Sequence, residues 1–203
     1  MTDAITQPAR VLVVDDEPTL RLGFTYALKT ENHDVTSVPG GREALEQLKS
    51  AKFDVMILDL RMPDLDGIET LEMMKKKEVE TNVILCSAHI NTEAACRALE
   101  LGCYDFLSKP VRPEDLRNSV QRLLHACDDD EHPLDCAIEM LRSHSPQEAL
   151  NILRNQCAAD NPRCEFWKEV SSIIARGEPI SPDRLSPKFG SEIVPLLVHQ
   201  ESL

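Results

Sequence analysis

The chain has 203 residues, 22 Lys and Arg against 35 Asp and Glu, and a net charge of −13, with 42% hydrophobic residues. That length allows one to two domains of roughly 150 residues. The apolar fraction excludes disorder throughout, and the acidic balance opposes nonspecific attraction to nucleic acid or anionic lipid.

From residue 10 to about 126, short β-rich apolar runs alternate with segments of helical period, the pattern of a parallel sheet covered by helices. The strands read as 11–15, 34–38, 54–59, 82–87 and 103–107. Helix one carries Leu20, Phe24, Ala27 and Leu28 on one face, with Pro18 in its first turn. Helix two carries Ala44, Leu45, Leu48 and Ala51, and helix three Leu65, Ile68, Leu71 and Met74. Helix four carries Ala94, Ala95, Ala98 and Leu99, and helix five Leu116, Val120, Leu123 and Leu124. Gly67 reads as a turn residue serving the entry to helix three through its φ freedom. Five strands, each followed by a helix with right-handed crossovers, give a doubly wound five-stranded α/β domain. Its ligands gather at the carboxyl ends of the strands.

The composition changes at Cys127. Asp128, Asp129, Asp130 and Glu131 form a like-charge run closed by Pro133, so 127–133 reads as an acidic linker. Three helical segments follow, at about 134–143, 146–158 and 162–176, the second and third opening on Ser145-Pro146 and Asn161-Pro162. The third carries Phe166, Val170, Ile173 and Ile174 as an apolar stripe and can end at Gly177. Residues 179–190, with three prolines, read as irregular, and a last apolar stretch lies at 193–198. The expected organisation is a flexible tail at 1–9, an α/β domain at 10–126, the linker, and a small all-helical region at 134–203. No run approaches the roughly 18 apolar residues of a membrane span, and residues 1–9 carry no basic-then-apolar signal pattern, so a cytoplasmic location is expected. Seven scattered cysteines fit reduced thiols rather than a disulfide framework.

The chemistry concentrates at the strand ends. Asp15 and Asp16 close strand one and Asp59 closes strand three, and such a cluster of repelling carboxylates calls for a cation. Hard oxygen donors suit Mg²⁺. Lys109, past strand five, can offset the remaining negative charge, and Ser87 offers a hydroxyl at the same edge. Any one of these residues could simply start a turn or cap a helix. Five of them on four strand ends are harder to assign that way.

The segments VLVVDDEP at 11–18, ILDLRMPDLDG at 57–67, LCSAH at 85–89 and DFLSKP at 105–110 resemble, in order and spacing, the receiver domain of bacterial two-component response regulators. The resemblance covers 10–126 and implies a flavodoxin-like fold. It implies that Asp59 is the phosphoacceptor for a sensor histidine kinase or phosphotransfer protein. Mg²⁺ would be held by Asp15 through water, by Asp16 and Asp59 directly, and by the main-chain carbonyl of Arg61. It further implies that Ser87 and Phe106 are the hydroxyl and aromatic switch residues. Lys109 would pair with the phosphoryl group and precede a cis Pro110, and Arg61 and His89 would modulate phosphoryl lifetime. Apart from this self-catalysed transfer and hydrolysis, no enzymatic activity is expected.

From 128 onward, 14 acids against 7 bases leave a net charge of −7, so DNA binding is not expected of this region. No Gly-rich phosphate loop, HExxH motif or nucleophile elbow marks a catalytic output domain. Cys127, Cys136, Cys157 and Cys164, with His125, His132 and His144, lack the tight paired spacing of a zinc site and read as small buried hydrophobes. The stretch 146–167 faintly resembles the junction of two tetratricopeptide-type repeats, which supports a helical hairpin. The expected output is contact with a downstream protein, and the face of helix four, strand five and helix five is also open to a homodimer. Two alternatives stand beside this: a relay or adaptor whose tail only supports dimerisation, and a transcriptional regulator with an atypical C-terminal region.

Overall fold

Strand β1 (Arg10–Val14) leads into helix α1 (Pro18–Lys29), β2 (Asp34–Val38), α2 (Gly41–Ser50) and β3 (Val55–Asp59). There follow α3 (Gly67–Lys76), β4 (Asn82–Ser87), α4 (Thr92–Glu100), β5 (Cys103–Ser108) and α5 (Pro113–His125). The structure, a computed structural model, describes residues 8–88, 90–125, 137, 140–141, 145–155 and 162–185. All strand pairs are parallel, in the order β2-β1-β3-β4-β5. The chain therefore winds outward in opposite directions from β1 and β3, and the crevice at their carboxyl ends is the topological switch point where ligands bind in such sheets.

Sequence dictates this arrangement locally. Residues 11–14 and 55–58 are unbroken apolar runs buried throughout, as central parallel strands covered on both faces must be. Helix α1 packs on α5, whereas α2, α3 and α4 lie side by side, the split that right-handed crossovers impose on this strand order. Helix α3 starts at a capping box: the Asp66 carboxylate accepts from the Glu69 amide at 2.8 Å, and the Asp66 amide donates to Glu69 at 3.0 Å. Asn91 caps α4 by accepting from the Ala94 amide.

Gly67 differs from its sequence reading. The left-handed residue of this turn is Asp64, at φ 67°, not Gly67. Gly67 is the first residue of α3, and a Cβ there would lie 2.6 Å from the Asp59 carbonyl oxygen and 2.8 Å from the Leu60 Cα. Its missing side chain lets the helix start against the end of β3.

Beyond α5, residues 137, 140 and 141 are helical, and α6 (Pro146–Asn155) packs against α7 (Pro162–Ala175), with a 3₁₀ helix (Pro182–Arg184) after them. Residues 127–133, 156–161 and 186–203, which include the linker and the final apolar stretch, lie outside the described residues. Gly177 ends α7 as expected: at φ +69° its amide donates to Ile174 and that of Glu178 to Ile173, closing the helix in a Schellman turn. Ala149, Leu153, Phe166, Val170 and Ile173 are fully buried and join the same apolar cluster as the sheet. Cys86, Cys96, Cys103 and Cys164 are buried.

Candidate functional site

The acidic edge is built where strands stop. β1 ends at Val14, and Asp15 leaves the ladder with its carboxylate turned into the fold, only 1% exposed, while Asp16 stays at the surface. Asp59 is the last residue of β3 and is 6% exposed. The ladders continue past the strand ends, with the Leu60 amide donating to Cys86 at 3.0 Å and the Lys109 amide to Ser87 at 2.9 Å. Those two bonds bring Asp59, Ser87 and Lys109 to one edge.

The Lys109 ammonium donates to Asp15 Oδ2 and to Asp59 Oδ2, both at 2.8 Å, so a single cation bridges two buried carboxylates. Asp59 Oδ1 accepts a longer bond, 3.3 Å, from the Arg61 amide, and Asp15 Oδ1 accepts from the Glu17 amide at 2.9 Å. Burial lifts the Asp59 pKa above the ordinary carboxylate value; Lys109 opposes the lift and the Asp15 charge adds to it. Burial alone would depress the Lys109 ammonium, but its bonds to Asp15 and Asp59 outweigh that and hold it protonated.

Asp15, Asp16 and Asp59 each present a carboxylate oxygen, all within 4.8 Å of one another. Among the described residues this is the one such group of three or more metal-ligating side chains. An oxygen-only donor set of acids, with one cation already offsetting part of its charge, fits a hard divalent ion that keeps some of its water.

The other site residues sort as follows. Ser87 is buried at the end of β4, in register with Ser108 of β5. Phe106 is buried opposite Leu85 on β4. Lys109–Pro110 is cis, as the resemblance implies. Arg61 is exposed beside Asp59, and His89 lies outside the described residues.

Two features escaped the sequence reading. Arg21, on α1, donates to the main-chain carbonyl of Asp15 at 2.7 Å and to that of Asp16 at 3.4 Å, pinning the loop that presents both acids. Asp105, buried on β5 next to Phe106, accepts from Ser119 at 2.6 Å and from Arg122 at 3.2 Å, tying β5 to α5. An acid inside an apolar strand was the only signal for the second, and its partners lie far along the chain.

Arg21→Gln is expected to cost roughly 1 kcal/mol of stability, the worth of a charge-assisted bond at a partly exposed site. It should also weaken Mg²⁺ binding, read by calorimetric titration. Parental values for both would mean that the loop holds its shape without the guanidinium.

Residues 11–121 match the Response regulator receiver domain family. The chain is 28% identical over 194 residues to the response regulator protein PilR of Pseudomonas aeruginosa, covering 95% of this chain and 39% of that protein. It is 36% identical over 115 residues to the regulatory protein AtoC of Escherichia coli, covering 57% of this chain and 25% of AtoC. It thus spans well under two thirds of the length of these curated relatives. Among solved structures, the Francisella response regulator 1452 receiver domain is 32% identical with a TM-score of 0.55, over 58% of this chain and 98% of that one. The chemotaxis protein CheY4 of Vibrio cholerae is 30% identical with a TM-score of 0.55, over 57% of this chain and 98% of that one. Among the described residues no helix is long and apolar enough to cross a membrane. With the matched residues covering more than half of the chain, the protein belongs to the response regulator receiver family of two-component signalling.

Proposed function

We propose that Asp59 accepts a phosphoryl group from a sensor histidine kinase or phosphotransfer protein, and that this transfer switches a protein-contact output. The observation that carries the reading is the Lys109 bridge: its ammonium lies 2.8 Å from both Asp15 and Asp59, at the mouth of a three-acid cluster.

A carboxylate oxygen of Asp59 attacks the phosphorus, forming an acyl phosphate while the bond to the donor nitrogen breaks, and the donor imidazole leaves with a proton. The chain's own part is positional. Asp59 is held at the end of a rigid strand, and Lys109 is at hand to pair with the phosphoryl oxygens. Mg²⁺, held by Asp15, Asp16, Asp59 and the Arg61 carbonyl, would supply the rest of the positive charge that the transferring group needs. Added phosphoryl charge draws on Lys109 and the Ser87 hydroxyl. In this reading Phe106 and helix α4 carry the change outward. Arg61 and His89 stand two residues after Asp59 and Ser87, from where they would set access of water and so the lifetime of the phosphoryl group.

In this reading the receiver occupies about 10–126 and a cytoplasmic helical effector about 134–203. The acidic balance of the latter favours a protein target over DNA. Incubation with acetyl phosphate should add one phosphoryl group in Mg²⁺ and none in excess chelator. Equal labelling under both conditions would remove the metal from the account.

A further inference from the structure

Strand β5 carries Phe106 and delivers Lys109, yet little in its backbone fixes where it lies. It is last in the strand order and pairs only with β4 among the described residues. Its ladder is also interrupted: Cys103 pairs with Val83 but Asp105 with Ile84, so Tyr104 is an extra residue and the strand is bulged there. Residues 103–107 are buried throughout, with no solvent-facing polar side that would tell one register from the next.

The register matters to the acidic edge. After the bulge Asp105, Phe106, Leu107 and Ser108 stand opposite Ile84, Leu85, Cys86 and Ser87, and the Lys109 amide donates to the Ser87 carbonyl at 2.9 Å. From that position the ammonium reaches Asp15 and Asp59. Without the bulge every residue after 103 would move one place along β4 and turn to the opposite face of the sheet. Ser108 would then take the bond to Ser87, and Lys109 would lie one residue beyond the place from which it bridges the acids.

Asp105 is the one charged residue of the strand. Its Oδ1 accepts from the Phe106 amide at 2.8 Å, and its Oδ2 accepts from the Ser119 hydroxyl at 2.6 Å and from Arg122 at 3.2 Å, both on α5. In the slipped register it would face away from α5, a buried carboxylate parted from these partners, which is strongly unfavourable. As a source of stability the ion pair is poor: Arg122 reaches the carboxylate through one nitrogen, and its Nε is buried with no acceptor among the described residues. Selecting one register is the best-attested use of such a pair.

We propose that Asp105 is a positioning residue for phosphoryl transfer: clasped by Ser119 and Arg122, it locks β5 in its bulged register and so aims Lys109 at Asp15 and Asp59. The inference rests on the phosphoacceptor reading above.

The test separates register from stability. Asp105→Leu combined with Arg122→Met puts an apolar pair in place of the ionic one, a change that is often neutral for stability. Three quantities are measured on the full chain: the urea midpoint, the rate of labelling by acetyl phosphate in Mg²⁺, and hydrogen exchange at the Lys109 amide by NMR, which reports its bond to Ser87. The double variant should keep a midpoint close to the parent's, yet label at least about tenfold more slowly and lose most of the protection at Lys109. Ser119→Ala, which removes the shortest bond to Asp105 and keeps the ion pair, should slow labelling and speed exchange by roughly twofold to fivefold, and it carries the test if the double variant does not fold. Parental labelling and protection in either variant would overturn the proposal and leave the phosphoacceptor reading standing. Slow labelling with Lys109 still protected would overturn it too, since Asp105 would then act by a route other than register. A parental chain that takes no label would overturn the phosphoacceptor reading and this role with it.

Discussion

Gly67→Ala is expected to destabilise the receiver by about 1–3 kcal/mol, the usual cost of overpacking, and to slow phosphorylation of Asp59 as well. The added methyl would meet the backbone at the end of β3, the Asp59 carbonyl oxygen at 2.6 Å and the Leu60 Cα at 2.8 Å. No side chain can swing away to make room. Either α3 backs off or the end of β3 is pushed, and the second moves the carboxylate that sits there. A tenfold slower labelling by acetyl phosphate corresponds to about 1.4 kcal/mol of barrier. Urea unfolding and the labelling rate together check this. A variant with the parental midpoint and rate would mean that the helix is not seated against the strand end.

Lys109→Ala is expected to be more damaging still. Asp15 and Asp59 would lose the one ammonium that bridges them at 2.8 Å, leaving two buried like charges facing each other. Removing one partner of a fully buried pair costs about 3–5 kcal/mol; here the lysine side chain is 14% exposed and water can enter, so about 2–3 kcal/mol is expected. Phosphorylation should fall at least about tenfold, since the transferring group loses the ammonium held against Asp59. Adding Asp15→Asn to Lys109→Ala should recover part of the stability by removing one repelling charge, yet none of the labelling. Additive losses of stability in that double variant would show that the three groups are not coupled.

Much of this was legible in the sequence because the sheet is central and parallel. Runs such as 11–14 and 55–58 are apolar on both faces, so the strands declare themselves, and their boundaries fall within one residue of expectation. The acids follow from the same logic, since a strand that stops at the switch point delivers its next residue to the crevice. Gly67 shows the limit of that logic. A turn that needs positive φ and a helix start that needs close approach both call for glycine, and only the structure shows that Asp64 takes the first role. Arg21 was hidden for another reason: it binds main-chain carbonyls, which carry no residue-type signature. The apolar stripe of α7 splits in the structure: Val170 and Ile174 join Trp167 along a cleft facing α3 and α4, while Phe166 and Ile173 do not line it.

The central claim is that the Lys109-bridged carboxylate of Asp59 takes the phosphoryl group. Its most direct test is to label the chain with acetyl phosphate in Mg²⁺, reduce the acyl phosphate with borohydride, and locate the resulting homoserine by peptide mass spectrometry. The account predicts a single modified position, residue 59, and no modification in Asp59→Asn. Homoserine at residue 15 or 16, or a label that persists in Asp59→Asn, would contradict it.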